Sequence, residues 1–306
     1  MRIGIKMNAC WRNEPAWRDI VGHFSQFLRQ VRQLGIESVE FSVLNHLELP
    51  AADAHREVEA IAADADTVLR AGLRCHLHPY VHRSTLGPLG LDGAHHAEVL
   101  DIMDRLIALG AGIARRQDDP VNMILHPAED LSPLPEAPAA AAEKRTAVYR
   151  ASEAYLRRFD ARVRQTNAPL RVFCEQVPAP SRGIRIGDRV PEVLALIRDT
   201  RIGICWDTGH YAISAERLGF SPIPEAAFLD RVGHVHLHAY RPGHGDHHPP
   251  AEGDAYLERC REILNARRFD GVVTLEYRYA QADKTDMQTL LHTIREGWEW
   301  IRKTSR

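Results

Sequence analysis

Eight short runs rich in β-branched residues recur along the chain, each separated from the next by a longer segment of Ala, Leu, Arg and Glu at helical period. The runs are Ile3–Met7, Ser38–Val43, Leu73–His78, Val121–His126, Leu170–Glu175, Ile202–Asp207, Val232–His238 and Val272–Glu276. Between them, His23–Leu34, Ala54–Ala71, Ala97–Leu109, Ala147–Gln165, Val190–Arg198, Tyr256–Ala266 and Met287–Arg302 have the spacing of amphipathic helices. Gly35, Gly72 and Gly110 follow three of these as helix stops. Such alternation builds parallel strands joined by right-handed crossovers. Eight repeats in 306 residues with no break in composition predict one (β/α)8 TIM barrel, a single domain over residues 1–306, since that fold needs ~250 residues. An open doubly wound sheet is the alternative; it lacks a G-x-G-x-x-G turn after the first run. The surplus residues fall in loops, and Ser132–Ala142 (SPLPEAPAAAA) reads as a mobile surface excursion.

Composition narrows the classes of partner. Lys and Arg number 39 against 41 Asp and Glu, a net charge of -2, so no overall basic field gathers nucleic acid or anionic membrane. Five scattered cysteines without a C-x-x-C pair argue against a disulfide framework and a thiolate zinc site, and fit a reducing cytoplasm. The sequence shows neither a signal peptide nor an apolar stretch of ~18 residues that would span a membrane.

The strand ends carry the chemistry. Active sites in this fold form at the C-terminal ends of the strands, and there the sequence places Glu40, His76, His78, His126, Glu175, Asp207, His236, His238 and Glu276. Imidazoles and carboxylates converging on one rim bind cations or shift their pKa values heavily. Carboxylate oxygen and imidazole nitrogen without thiolate suit divalent Mn, Zn, Co, Fe or Mg and disfavour copper and iron–sulfur sites. Glu175, Asp207, His236 and Glu276 are the central ligands expected. Trp11 and Trp206 read as packing residues, Cys174 points toward the helices, and Cys205 faces the barrel interior one layer below Asp207.

The motifs E-Q-V-P, W-D-T-G-H, H-V-H-L and F-D-G-x-V-T-L-E resemble the xylose-isomerase-like barrel superfamily, which holds sugar isomerases and epimerases together with the endonuclease IV group. The resemblance implies one divalent metal on Glu175, Asp207, His236 and Glu276. The endonuclease IV group holds three zinc ions, and its further ligands correspond here to His78, His126, His210 and a pair in the loop after strand seven. Asp246 with His248 has the spacing of that pair; an alignment on His247 puts Gly245 in place of the aspartate. The strand-five loop QVPAPSRGIRIG and Ala239 depart from the endonuclease pattern.

Two enzyme readings and one non-catalytic reading follow. In a sugar or inosose isomerase or epimerase the metal stabilises an enediolate while Glu175 and Glu276 exchange the α-proton. His78, His126, His210 and Arg241 then orient hydroxyls, and Arg182 and Arg185 meet an anionic substrate group. In a multi-zinc phosphodiesterase His78 and His126 are ligands. The third reading is a small-molecule-binding barrel without catalysis. Lys6 and Glu40 either line the floor of the site or form a buried ion pair. A carbohydrate is the expected partner, and homo-oligomerisation stays open.

Overall fold

The eight apolar runs pair side by side as β1 (Arg2–Asn8), β2 (Ser38–Val43), β3 (Arg74–Pro79), β4 (Val121–Leu125), β5 (Leu170–Glu175), β6 (Gly203–Asp207), β7 (Val232–Leu237) and β8 (Val272–Leu275). The computed structural model describes residues 1–8, 18–43, 51–80, 96–277 and 286–303; Cys10 and Trp11 lie outside these. Every neighbour pair in the barrel is parallel, and β1 hydrogen-bonds to both β2 and β8. That closure makes a (β/α)8 barrel and excludes the open sheet. Most element ends fall within two residues of the sequence reading.

Strand alternation sorts the side chains into two interiors. Ile3, Ile5, Val39, Phe41, Cys75, Leu77, Cys174, Trp206, Val235, Val273 and Leu275 face outward into one continuous apolar core. The helices Phe24–Gln33, Ala51–Arg70, His96–Gln117, Pro138–Gln165, Thr208–Leu218, Ala255–Ala266 and Met287–Arg302 lie around the sheet. Inside the barrel Ile124, Phe173 and Cys205 form a second, small apolar cluster. Each precedes a polar strand-end residue by two positions (His126, Glu175 and Asp207), so this layer is a dry floor beneath them. Cys174 and Cys205 thus take the two faces expected from their spacing.

Two segments depart from expectation. Gly110 does not end a helix: His96–Gln117 runs on through it, a Gly in a helix interior costing only about 1 kcal/mol against Ala. Pro138–Ala142 is not loop but the first turn of the helix Pro138–Gln165. Pro at the helix start needs no intrahelical N–H partner, and the alanines that follow are the strongest helix formers. Two short antiparallel pairs decorate the C-terminal rim: Glu129–Asp130 with Ile184–Arg185, and Ala239–Arg241 with Gly245–His248. Among the described residues no helix is long and apolar enough to cross a membrane.

Candidate metal centre

Glu175, Asp207 and Glu276 end β5, β6 and the run after β8, and all three turn toward the ring of His236 on β7. Its Nδ1 lies 2.7 Å from Glu276 Oε2, 3.1 Å from Glu175 Oε2 and 3.7 Å from Asp207 Oδ2. Glu175, Asp207 and His236 are fully buried, and Glu276 is nearly so. Close as these atoms are, both Glu175 oxygens, Glu276 Oε2 and His236 Nδ1 form no hydrogen bond. Buried polar atoms are almost always hydrogen-bonded, because each orphan costs roughly 1–3 kcal/mol. Several such atoms aimed at one another are what a cation bonded to all of them would leave behind, and three carboxylates with one imidazole fit a divalent ion of the Mn, Zn, Co or Mg class.

The D-T-G-H motif is the local device that holds Asp207. Its carboxylate caps the helix Thr208–Leu218, with Oδ1 accepting the His210 backbone N–H at 2.7 Å. Thr208 Oγ1 donates to the His238 carbonyl at 2.9 Å, tying β6 to the end of β7. Gly209 leaves room for an imidazole, since a Cβ there would come within 2.0 Å of His238 Cε1. His210, in the first turn, reaches back to Glu175 Oε1 at 3.0 Å and Asp207 Oδ2 at 3.3 Å.

Around Glu175 stand further imidazoles: His126 Nε2 is 3.2 Å from Oε1, and His78 Nε2 is 3.2 Å from Oε2. Burial pushes the Glu175 carboxyl up, but His126, His236 and His78 outweigh it and hold the group well below the carboxylate range. Glu276 is likewise raised by burial and lowered further by Lys6 and His236, so the net shift is strongly down. His236 is lowered by burial, and Cys205, Glu40, Glu276 and Glu175 raise it well above the usual imidazole value.

The family model for the xylose isomerase-like TIM barrel matches residues 28–304. The chain belongs to the xylose isomerase-like TIM barrel family. No curated protein matches it in sequence. Among solved structures of the same fold, a D-tagatose 3-epimerase-like protein is 15% identical, with 98% of this chain and 99% of that chain covered and a TM-score of 0.60. L-ribulose 3-epimerase is 16% identical over 98% and 93% of the two chains, TM-score 0.62. The 3-keto-D-glucoside 4-epimerase of E. coli is 15% identical over 99% of both, TM-score 0.58.

Within this xylose isomerase-like barrel, residues singled out in the sequence divide into those brought together and those held elsewhere. His78, His126 and His210 join the four central groups. Lys6 and Glu40, adjacent in register, do not pair. Lys6 Nζ instead forms an ion pair with Glu276 and bonds Tyr80 Oη at 2.9 Å. Glu40 sits among three imidazoles, His78 Nδ1 at 3.2 Å, His234 Nε2 at 2.9 Å and His236 Nε2 at 3.0 Å. Lys6 thus has a carboxylate neighbour on each side, Glu40 on β2 and Glu276 just beyond the Ile5–Leu275 pair with β8, and it pairs with the second.

The loop after strand seven brings His247 inward, and not His248. His247 Nε2 bonds Glu276 Oε1 at 3.0 Å while Asp246 Oδ1 lies 2.9 Å from His247 Nδ1. His248 Nε2 turns to the His244 carbonyl at 3.1 Å. His247 takes a left-handed φ of 61 in a hairpin whose register shifts between Ala239 and Arg241, and this irregular backbone carries its ring to Glu276 while His248 stays on the His244 carbonyl. Arg185 bonds Glu129 at 2.6 Å and the Pro178 carbonyl at 3.2 Å, Arg182 is exposed, and exposed Arg241 reaches the Pro249 carbonyl at 3.4 Å. Sequence reading gave His238 only as one of the strand-end residues, left His234 out and gave His247 only as an alternative; H-V-H-L-H, with histidine at every second position, was the available signal that His234, His236 and His238 share one face.

Proposed function

We propose that the chain is a divalent-cation-dependent sugar isomerase or epimerase that moves a proton at the carbon beside a carbonyl. The observation that carries this reading is the pair Glu175 and Glu276. Both are buried, both lie within 3.1 Å of the same His236 nitrogen, and their neighbours hold both carboxyls below the usual carboxylate range. Two carboxylates on one small site supply a base and its returning acid. A divalent cation held by Glu175, Asp207, His236 and Glu276 supplies the positive charge that acidifies the substrate carbon and stabilises the adjacent oxygen.

The remaining residues set up that transfer. Lys6 and His247 grip Glu276 from two directions and fix the carboxylate that takes or returns the proton. His126 and His210 stand beside Glu175 Oε1, at 3.2 and 3.0 Å, without hydrogen-bonding it. Tyr80 stacks on His78 at 4.3 Å between ring centroids and offers an aromatic wall for a sugar ring. The apolar floor of Ile124, Phe173 and Cys205 excludes water from below. The structural neighbours L-ribulose 3-epimerase and 3-keto-D-glucoside 4-epimerase, with the D-tagatose 3-epimerase-like protein, support a keto sugar as the substrate class.

Incubation with ketoses and inososes in deuterated water, followed by NMR at the α-carbon, tests the reading. Cation-dependent deuterium incorporation into one of them is expected; its absence from all of them, with and without added cation, refutes it.

A second reading, an endonuclease IV-like hydrolase with several metal ions, is favoured by one observation. His78, His126 and Glu175 present ligand atoms within 4.8 Å of one another, beside the central four groups. Cleavage of abasic-site DNA, with more than one ion per chain by elemental analysis, would select it.

A further inference from the structure

His210, His238 and His247 each offer a ring nitrogen within 4.8 Å of the others, the spacing of a three-histidine cation site. The hydrogen bonds on His238 contradict that use. Its Nδ1 receives the backbone N–H of His247 at 2.9 Å. A backbone amide only donates, so Nδ1 carries a lone pair and no proton. The single proton of the neutral ring is then on Nε2, which faces Asp207, 2.8 Å from Oδ1 and 3.1 Å from Oδ2. Both nitrogens of His238 are spent inside the protein.

His247 closes the same chain from the other end, with Nε2 on Glu276 at 3.0 Å. Its ring lies flat on that of His238, 4.2 Å between centroids and 8° between planes. To present amide and ring together, His247 takes φ 61, the left-handed region that non-glycine residues seldom occupy. Such conformations persist where the surrounding structure fixes them and cluster at functional sites. Gly209 supplies the matching cut-away, as any Cβ there would strike the His238 ring.

We propose that His238 and His247 form a clasp that holds Asp207 and Glu276 in fixed relation across β6, β7 and β8, with His238 a neutral positioning residue and not a cation ligand. The proposal rests on the reading of Asp207 and Glu276 as ligands of one cation. Its physical content is that the hairpin Ala239–Arg241 with Gly245–His248 sets the orientation of two carboxylates it does not itself carry. Partners behind metal ligands usually matter to affinity by about 10–100-fold.

Two measurements test it. In the cation-free protein, ring nitrogen NMR assigned with His238→Gln as reference is expected to find one proton on His238, at Nε2; a proton on Nδ1 would overturn the clasp. Calorimetric titration with Mn²⁺ alone is expected to give about 10–100-fold weaker binding in His238→Leu. His238→Gln, whose amide can accept from the His247 N–H and donate to Asp207, should recover most of that affinity. Wild-type affinity in His238→Leu, or the loss of one bound ion per chain in that variant, would overturn the proposal. If the wild type binds no Mn²⁺, the reading of the centre fails, whereas the nitrogen spectrum still decides the clasp.

Discussion

His236 Nδ1 and Glu276 Oε2 are 2.7 Å apart, yet no hydrogen bond joins them. With both Glu175 oxygens in the same condition, the polypeptide by itself leaves the centre of its own site unsatisfied. A ligand that bonds these atoms therefore stabilises the fold by mass action, about 2.7 kcal/mol at a hundredfold excess over Kd. Thermal melts with chelator and with saturating Mn²⁺ check this, each kcal/mol being worth roughly 1.5 °C in a chain of about 300 residues. A rise of several degrees with Mn²⁺ is expected; superimposable curves would count against a cation site.

Glu276→Gln keeps the shape of the side chain and removes its capacity to take a proton. The amide also leaves Lys6 facing a neutral group in a buried position. Turnover is expected to fall by about 10²–10⁴-fold, the range for a general acid–base group. A steady-state assay on the active ketose, with Mn²⁺ occupancy measured alongside, separates lost proton transfer from lost metal.

Gly209→Ala tests the packing behind the D-T-G-H motif. The new methyl would sit 2.0 Å from the His238 ring, so the imidazole or the helix start has to move. Overpacking of this kind costs about 1–3 kcal/mol. Chemical denaturation should register that loss together with weaker Mn²⁺ binding, whereas an unchanged midpoint would mean that the ring relocates freely.

Much of this was legible in the chain because the barrel writes itself in short-range patterns. Glu175, Asp207, His236 and Glu276 each follow an apolar run and break it at the end where this fold does its chemistry, so position and residue type agreed. Lys6 was harder. Its register neighbour is Glu40, but its partner Glu276 lies 270 positions away, and only the closure of β1 on β8 brings them together. His247 was harder still, because Asp246, His247 and His248 are consecutive and the hairpin register with a left-handed residue decides which points inward. The start of the helix at Pro138 was missed for a simpler reason: a Pro- and Ala-rich stretch has the composition of a loop and the propensity of a helix.

The described cysteines give a prediction independent of the site. Cys75, Cys174, Cys205 and Cys260 are buried free thiols, and burial pushes all four thiol pKa values up. Raised values keep them protonated at neutral and mildly alkaline pH, and the protonated thiol is the unreactive form. A thiol-disulfide reagent should leave these four unmodified in the native protein and label them once the chain is unfolded. Native-state labelling mapped to any of them by peptide mass would contradict their place in the core.

The most direct test is to crystallise the protein with Zn²⁺ and locate the ion by anomalous scattering. The expected result is a peak bonded to Glu175, Asp207, His236 and Glu276, with Zn–O and Zn–N distances of ~2.0–2.2 Å. A fully loaded crystal whose zinc lies elsewhere, with these four side chains still turned on one another, would contradict the assignment of the centre.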